Sequence, residues 1–421
     1  MEVSRDKYLN DLVVRKGNGM IKVVTGIRRC GKTYLVFDLF VRHLIESGVP
    51  EDHIIALALD DRANVRYRDV DALYDYLMER IGNDRGVYYV LLDEIQYAIT
   101  VRELRSKDEP PALYGVLNGL LHRRNVDVYV TGSNSKLLST DVMTEFRGRG
   151  DEVRIHPLTF AEFMQAFDGD RQAGWAEYVM YGGLPLTLSM HTPEQKASYL
   201  TGLFEEVYLL DVIERNHLTK SQELESLLNV LASSSKIETT FRSELHSRLD
   251  ADTVKRYIGH LGEAFLVSEA TRYDVKGRRY IGTPKKYYFE DMGLRNARLG
   301  FRQIEESHIM ENIIYNELRA RGFSVDVGVV DRRMKNNGHD ERCRYEVDFV
   351  ANLGYRRYYI QSALQLDTPE KAAQEKRSLN LIEDSFRKIV VVNRVMRPYM
   401  DDDGILTMGL FDFLLNPNSL D

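Results

Sequence analysis

Short aliphatic and β-branched runs, each ending in small or acidic residues, alternate with amphipathic stretches along the first 160 residues. IKVVT at 21–25, IIALALDD at 54–61, GVYYVLLDEIQY at 86–97 and NVDVYVTGSNSKLLS at 125–139 each contain a run that reads as a buried strand. After the first run Leu35, Val36, Leu39, Phe40 and Leu44 recur at helical spacing, a second helical stretch covers 70–82, and a last strand is expected at 153–156. Strands alternating with helices predict an α/β region built on a parallel sheet.

Further on, 222–235 reads as an amphipathic helix and FRSELHSRL at 241–249 as a shorter one. Val254, Ile258, Leu261 and Phe265 form one apolar stripe of a third helix, with Asp250 or Asp252 as its N-cap. Two strands around a Lys276-Gly277 turn follow, then another at 285–291. Three helices and a hairpin predict a winged helix, with Lys255, Arg256, Lys276, Arg278 and Arg279 outward where phosphates of DNA would lie. A packing lever with a solvated charged face fits the same pattern. From 308 to 330 a helix leads into a strand, and RYEVDFVANL with YRRYYIQSALQL reads as a β-hairpin.

At 421 residues the chain is too long for one core. Its 43% hydrophobic and 29% charged content is that of a folded protein. A net charge of −7 and pI near 5.9 exclude coating of nucleic acid by net charge, while leaving a local basic face open. Cys30 and Cys343 stand far apart without metal-ligand spacing, which suits a reducing compartment. The start MEVSRDKYLNDLV lacks the apolar core of a secretion signal, and no window approaches about 18 uninterrupted apolar residues. A cytoplasmic protein without membrane contact is expected. Polar stretches at 106–112, 233–240 and 331–342 read as loops.

The chemistry concentrates between the strands. Gly26, Ile27, Arg28, Arg29, Cys30, Gly31, Lys32 and Thr33 match GxxxxGK followed by Ser or Thr, and Tyr34 opens the helix beyond. Glycines let backbone N–H groups turn inward on phosphate oxygens, aided by the positive helix end. Lys32 would reach the β- and γ-phosphates and Thr33 would ligate Mg²⁺. Strand, loop and helix in sequence argue against a chance glycine turn. Asp93, at the end of a buried run, would hold Mg²⁺, and Glu94 would act as general base toward water; an acidic helix cap is the alternative. Asn134 would orient that water or cap a turn. Arg147 and Arg149, around Gly148, would supply a charge-stabilising finger to a neighbouring subunit or lie idle on the surface.

The set GIRRCGKT, VLLDEIQ, TGSNSKLL, FRGRG and YGGLP resembles the AAA-type ATPases of prokaryotes, with the motifs in matching order. The resemblance implies ATP and Mg²⁺ as ligands, a P-loop core at 1–165, a helical lid at 166–220 and the winged helix at 221–300. It assigns the interfacial arginine to Arg149, with Arg147 as alternative, and so implies a homo-oligomer. It also implies that Gly183 and Pro185 contact nucleotide from the lid; an ordinary loop between helices is the competing reading.

Residues 301–421 look like a restriction-endonuclease-type α/β core. Glu311 then maps to the helix carboxylate and Asp348 to the strand aspartate, with Glu346 beside it. Gln361 stands where a second acid belongs and Ala363 where a lysine belongs, so a domain without cleavage chemistry is expected. Arg332, Arg333, Lys335, Arg342 and Arg344 form a basic loop that would grip phosphates or face solvent. The whole predicts an Mg²⁺-dependent ATPase that couples nucleotide state to a C-terminal region associated with DNA or a partner. A signalling or scaffold switch without DNA and an active metal-dependent nuclease are the rival outputs.

Overall fold

Five buried runs become strands: β1 (Ile21–Thr25), β2 (Ile54–Ala58), β3 (Tyr88–Asp93), β4 (Val126–Thr131) and β5 (Gly150–Arg154). They pair in the order β2-β3-β4-β1-β5, every pairing parallel. The computed structural model describes residues 2–420 except 83–85, 101, 104–109, 133–147, 216–217, 219–220, 234–250, 303 and 337–338. The described chain divides into two compact units, one of Glu2–His156 with Glu263–Phe265, the other of Pro157–Gly262 with Leu266–Asp421.

In the first unit, alternate residues of the strands such as Val23, Val90, Leu92 and Val130 share a core with Leu73 and Leu77 of helix Val70–Arg80 and Leu113, Leu117 and Leu120 of helix Ala112–Leu121. Phe40, at the end of the wide helical turn after the loop, meets the rings of Tyr89 and Tyr129. Strand β5 begins three residues before the expected position: as an edge strand it pairs only with β1, so it tolerates Asp151 and Glu152, whose polarity hides it from a hydrophobic reading. The core also buries an ion pair, Lys22 of β1 on Asp127 of β4. Asp127 Oδ2 accepts Gly17 N–H at 2.9 Å and Tyr129 OH at 3.2 Å. Burial and the Asp127 charge raise the Tyr129 phenol above its ordinary pKa.

The second unit carries an eight-stranded mixed sheet in the order β12-β13-β11-β10-β9-β8-β6-β7. These strands are β6 (Val267–Asp274), β7 (Arg279–Phe289), β8 (Ser324–Asn336), β9 (His339–Leu353), β10 (Arg356–Ala363), β11 (Arg387–Val392), β12 (Tyr399–Met400) and β13 (Ile405–Gly409). The hairpin expected as the wing of a separate domain lies here differently: β6 pairs with β7 and, in parallel, with β8. A boundary at 300 therefore runs through one sheet. The strand expected at 285–291 is the second half of a continuous β7, joined across a register shift between Ala270 and Arg272 of its partner. Helices Ser221–Ser233 and Ala251–Glu263 form as expected, and Lys255 and Arg256 are exposed. Residues 241–249 lie outside the described residues. On the hairpin turn, Lys276 pairs with Glu383 at 3.3 Å and Arg279 with Asp274 at 3.5 Å.

Asp291 organises another part of this unit. It caps helix Met292–Arg298 by accepting Leu294 N–H at 3.0 Å, and its other oxygen accepts Gly183 N–H at 2.7 Å. Burial pushes its carboxyl up to about 6, against the pull of these donors. The folded chain thus keeps a proton that the unfolded chain has released, so the group's contribution to stability is full below about pH 4 and is lost as pH rises through about 6. Relative to Asp291→Asn, the unfolding free energy of wild type is expected to fall by about 3 kcal/mol across that window. Urea titrations at successive pH values measure it, and a flat difference would mean that Asp291 ionises alike in both states.

Candidate functional site

The carboxyl edge of β1 delivers Gly26 into a loop that only glycine fits at its start. Gly26 has φ of 146°, and a Cβ there would lie 2.2 Å from the Ile155 carbonyl oxygen. Gly31 also has positive φ, 98°, as does Arg29 at 64°, a conformation costly for a residue with a side chain. Ile27 and Cys30 are buried beneath the loop, while Arg29 is exposed. Gly26→Ala is expected to lower stability by about 1–3 kcal/mol through the clash with backbone. Thermal unfolding of the variant checks this, and an unchanged midpoint would contradict it.

Lys32 is buried and its Nζ donates to the carbonyls of Gly26 at 3.1 Å and Ile27 at 3.2 Å. These bonds fold the ammonium back over the loop. Thr33 Oγ1 donates to Asp93 Oδ2 at 2.7 Å. Asp93, at the end of β3, is 1% exposed, and burial raises its pKa while bonds from Thr131 and Thr33 pull it down. Two hard oxygens this close suit neighbouring positions around Mg²⁺, whose octahedral edge is about 2.9 Å. Among the described residues no group of three or more His, Cys, Asp or Glu side chains is arranged to hold a metal. An ion at Thr33 and Asp93 would therefore complete its shell with phosphate and water oxygens.

Strand order explains what the local pattern does not. β4 lies beside β3, so its last residue, Thr131, reaches the end of that strand: its hydroxyl bonds Asp93 Oδ1 and accepts Glu94 N–H at 3.1 Å. Glu94 follows in a left-handed conformation, φ 51°, which turns it off the strand axis. Gln96 Nε2 donates to Glu94 Oε2, holding the carboxylate toward the following turn. Thr131 and Gln96 were not singled out from sequence. The VLLDEIQ and TGSN strings contain them, but their roles depend on which strands are neighbours.

The remaining expected residues separate. Asn134 and Arg147 lie outside the described residues. Arg149 is exposed just before β5, where its carbonyl accepts Ile21 N–H at 2.9 Å. Since Ile21 pairs with Gly150, Arg149 stands at the amino edge of the sheet, about 16 Å by strand rise from Gly26. It therefore lies away from the loop of its own chain. Gly183 is buried, with its N–H taken by Asp291 and its carbonyl by Leu158 N–H at 2.8 Å. A Cβ at Gly183 would press to 2.3 Å on the Leu158 oxygen, so close packing accounts for this glycine. Pro185 begins a 3-10 turn, Pro185–Ser189.

In the second unit Glu311, Asp348 and Gln361 do converge. Asp348 Oδ2 accepts Ser362 N–H at 2.8 Å, and Asp348 N–H points to Gln361 Oε1 at 3.4 Å. Lys286 of β7 joins them, with its Nζ 2.9 Å from Glu311 Oε1 and 2.7 Å from Glu346 Oε1. Tyr288 OH donates to Glu311 Oε1 at 2.7 Å, and Arg272 pairs with Glu346 Oε2 at 3.0 Å. The stretch expected as a basic loop is instead paired strand, because β8 and β9 continue through it: Arg332 of β8 is exposed and Arg344 of β9 pairs with Asp331 at 3.3 Å; the side chains of Arg333, Lys335 and Arg342 are outside the described residues.

Residues 18–164 match the family model described as an AAA domain, and 172–305 match a domain of unknown function, DUF8612. An uncharacterized protein of Haemophilus influenzae is 30% identical over 98% of this chain and 98% of its own length. The uncharacterized protein MJ1544 of Methanocaldococcus jannaschii is 25% identical over 94% of this chain and 86% of its own. The solved Walker-type ATPase paby2304 of Pyrococcus abyssi shares the fold with a TM-score of 0.50 at 14% identity, over 71% of this chain and 96% of that one.

Proposed function

Because the chain belongs to the family of the Haemophilus influenzae protein and carries an AAA domain, we propose that it is a Mg²⁺-dependent ATPase coupling nucleotide state to its C-terminal unit. The observation that carries this reading is that Thr33, from the glycine loop, and Thr131 both bond Asp93, with the Glu94 N–H on the same Thr131 hydroxyl. Loop amides and Lys32 would bind the phosphates, and Thr33 with Asp93 would hold Mg²⁺. The ion, when bound, would neutralise charge on the β- and γ-oxygens. Glu94 would accept a proton from the attacking water, and Thr131 would keep the strand end in register for it. Gln96 must release or share the Glu94 carboxylate for that step, since the carboxylate accepts its amide.

Arg149, remote from its own loop, would act on a neighbouring copy, so turnover per chain would rise with protein concentration. The output would be binding of DNA or a protein partner by the C-terminal unit, with exposed Lys255 and Arg256 among its phosphate contacts. A nucleotide switch that self-associates without DNA is the competing output.

Phosphate release, measured across protein concentrations with and without duplex DNA, tests both parts. Lys32→Ala is expected to lose turnover with folding retained, and normal turnover in that variant would overturn the ATPase reading. Stimulation by DNA that fades steeply with salt supports a nucleic-acid output. Concentration-dependent turnover that ignores DNA at low salt favours the switch.

A further inference from the structure

The second unit holds an ionic cluster whose residues the proposed nucleotide chemistry does not use. Its carboxylates come from separate elements, Glu311 from helix Glu306–Ala320 and Glu346 with Asp348 from β9. Lys286 arrives from the edge strand β7, with β6 and β8 lying between it and β9 in the sheet order. Its side chain is only 3% exposed and bonds carboxylates from both elements. We propose that Lys286 is the resident cation of this cluster: its ammonium takes the place of a divalent ion among Glu311, Glu346 and Asp348 and closes the unit to metal.

Two further observations support this. Glu311 and Glu346 are already paired with the Lys286 ammonium, and Glu346 also with Arg272, so a divalent ion would add charge beside cations already held among these carboxylates. Finally, Gln361 contributes a neutral oxygen that is already turned to the Asp348 amide, where a hard metal favours an anionic donor. The residues do not fit a nuclease metal centre while Lys286 is in place.

The test uses the full chain without nucleotide and Mn²⁺ as the probe, read by electron paramagnetic resonance and by thermal unfolding. Wild type is expected to show no Mn²⁺ signal that depends on Asp348. Lys286→Met, which keeps much of the side-chain volume and removes the charge, is expected to gain one Mn²⁺ per chain and a Mn²⁺-dependent rise of several degrees in its melting temperature. Adding Asp348→Asn to that variant should abolish both gains. A wild-type Mn²⁺ signal removed by Asp348→Asn would overturn the proposal, as would folded Lys286→Met that gains no site. If Lys286→Met does not fold, wild type decides alone. Absence of the Asp348-dependent signal, with Lys286 acylated only after denaturation, supports the proposal. Presence of the signal, or acylation of native Lys286 as fast as exposed Lys276, overturns it.

Discussion

Glu94→Gln is expected to lower the rate of phosphate release by about 10²- to 10⁴-fold, the range for loss of a general base, while nucleotide affinity stays within a few-fold of wild type. The two effects separate because Glu94 meets Thr131 through its N–H and Gln96 through its carboxylate, whereas Lys32 bonds the loop carbonyls and Thr33 bonds Asp93. Glutamine keeps the size and the backbone, including the left-handed turn at φ 51°, but cannot take a proton at neutral pH. Lys32→Ala should differ by losing affinity as well, since its ammonium would bind the phosphates in ground and transition states alike. Titration of a fluorescent ATP analogue alongside single-turnover hydrolysis distinguishes these outcomes. Turnover by Glu94→Gln within tenfold of wild type would remove Glu94 from the role of base.

Asp127→Ala is expected to destabilise the amino-terminal unit by about 3–5 kcal/mol, the range for breaking a buried pair from one side. Lys22 would keep a charge at 0% exposure with its carboxylate gone, and the Gly17 N–H and the Tyr129 hydroxyl would each lose an acceptor. Tyr129 also lies beneath the Lys22 ammonium, 5.1 Å from ring centre to nitrogen, so the ring would retain only part of the compensation. Removing both charges, as in Lys22→Met with Asp127→Leu, should recover most of the loss, because no ion is then left without a partner. Urea unfolding of the single and double variants measures both values. A single variant within 1 kcal/mol of wild type would show that the pair is hydrated and not a core element.

The phosphate loop was legible because its chemistry is local. Gly26 through Thr33 lie within one turn of chain, and the glycines, lysine and hydroxyl there are fixed by what a backbone must do to face phosphate. Asp93 and Glu94 were legible for a related reason: a hydrophobic run ending in carboxylates describes both a buried strand and its exposed edge. The edge strand β5 was placed late because its solvent-facing acids break the apolar run.

Residues far apart in the chain were another matter. Thr131 is one threonine among many until β4 is set between β1 and β3, where it joins Asp93 across 38 positions. The glycine-proline string at Gly183 carries only turn information. Asp291, 108 positions away, takes its amide. The C-terminal tail shows both sides most plainly. Sequence by itself determined that Glu311, Glu346 and Asp348 are acids and that Gln361 and Ala363 are not, because side-chain chemistry is written in residue identity. Only tertiary structure decided that Lys286, 25 positions before Glu311 and on the edge strand β7, meets Glu311 and Glu346. The order of the strands and the packing of helix Glu306–Ala320 against them are not encoded in the spacing of any one segment.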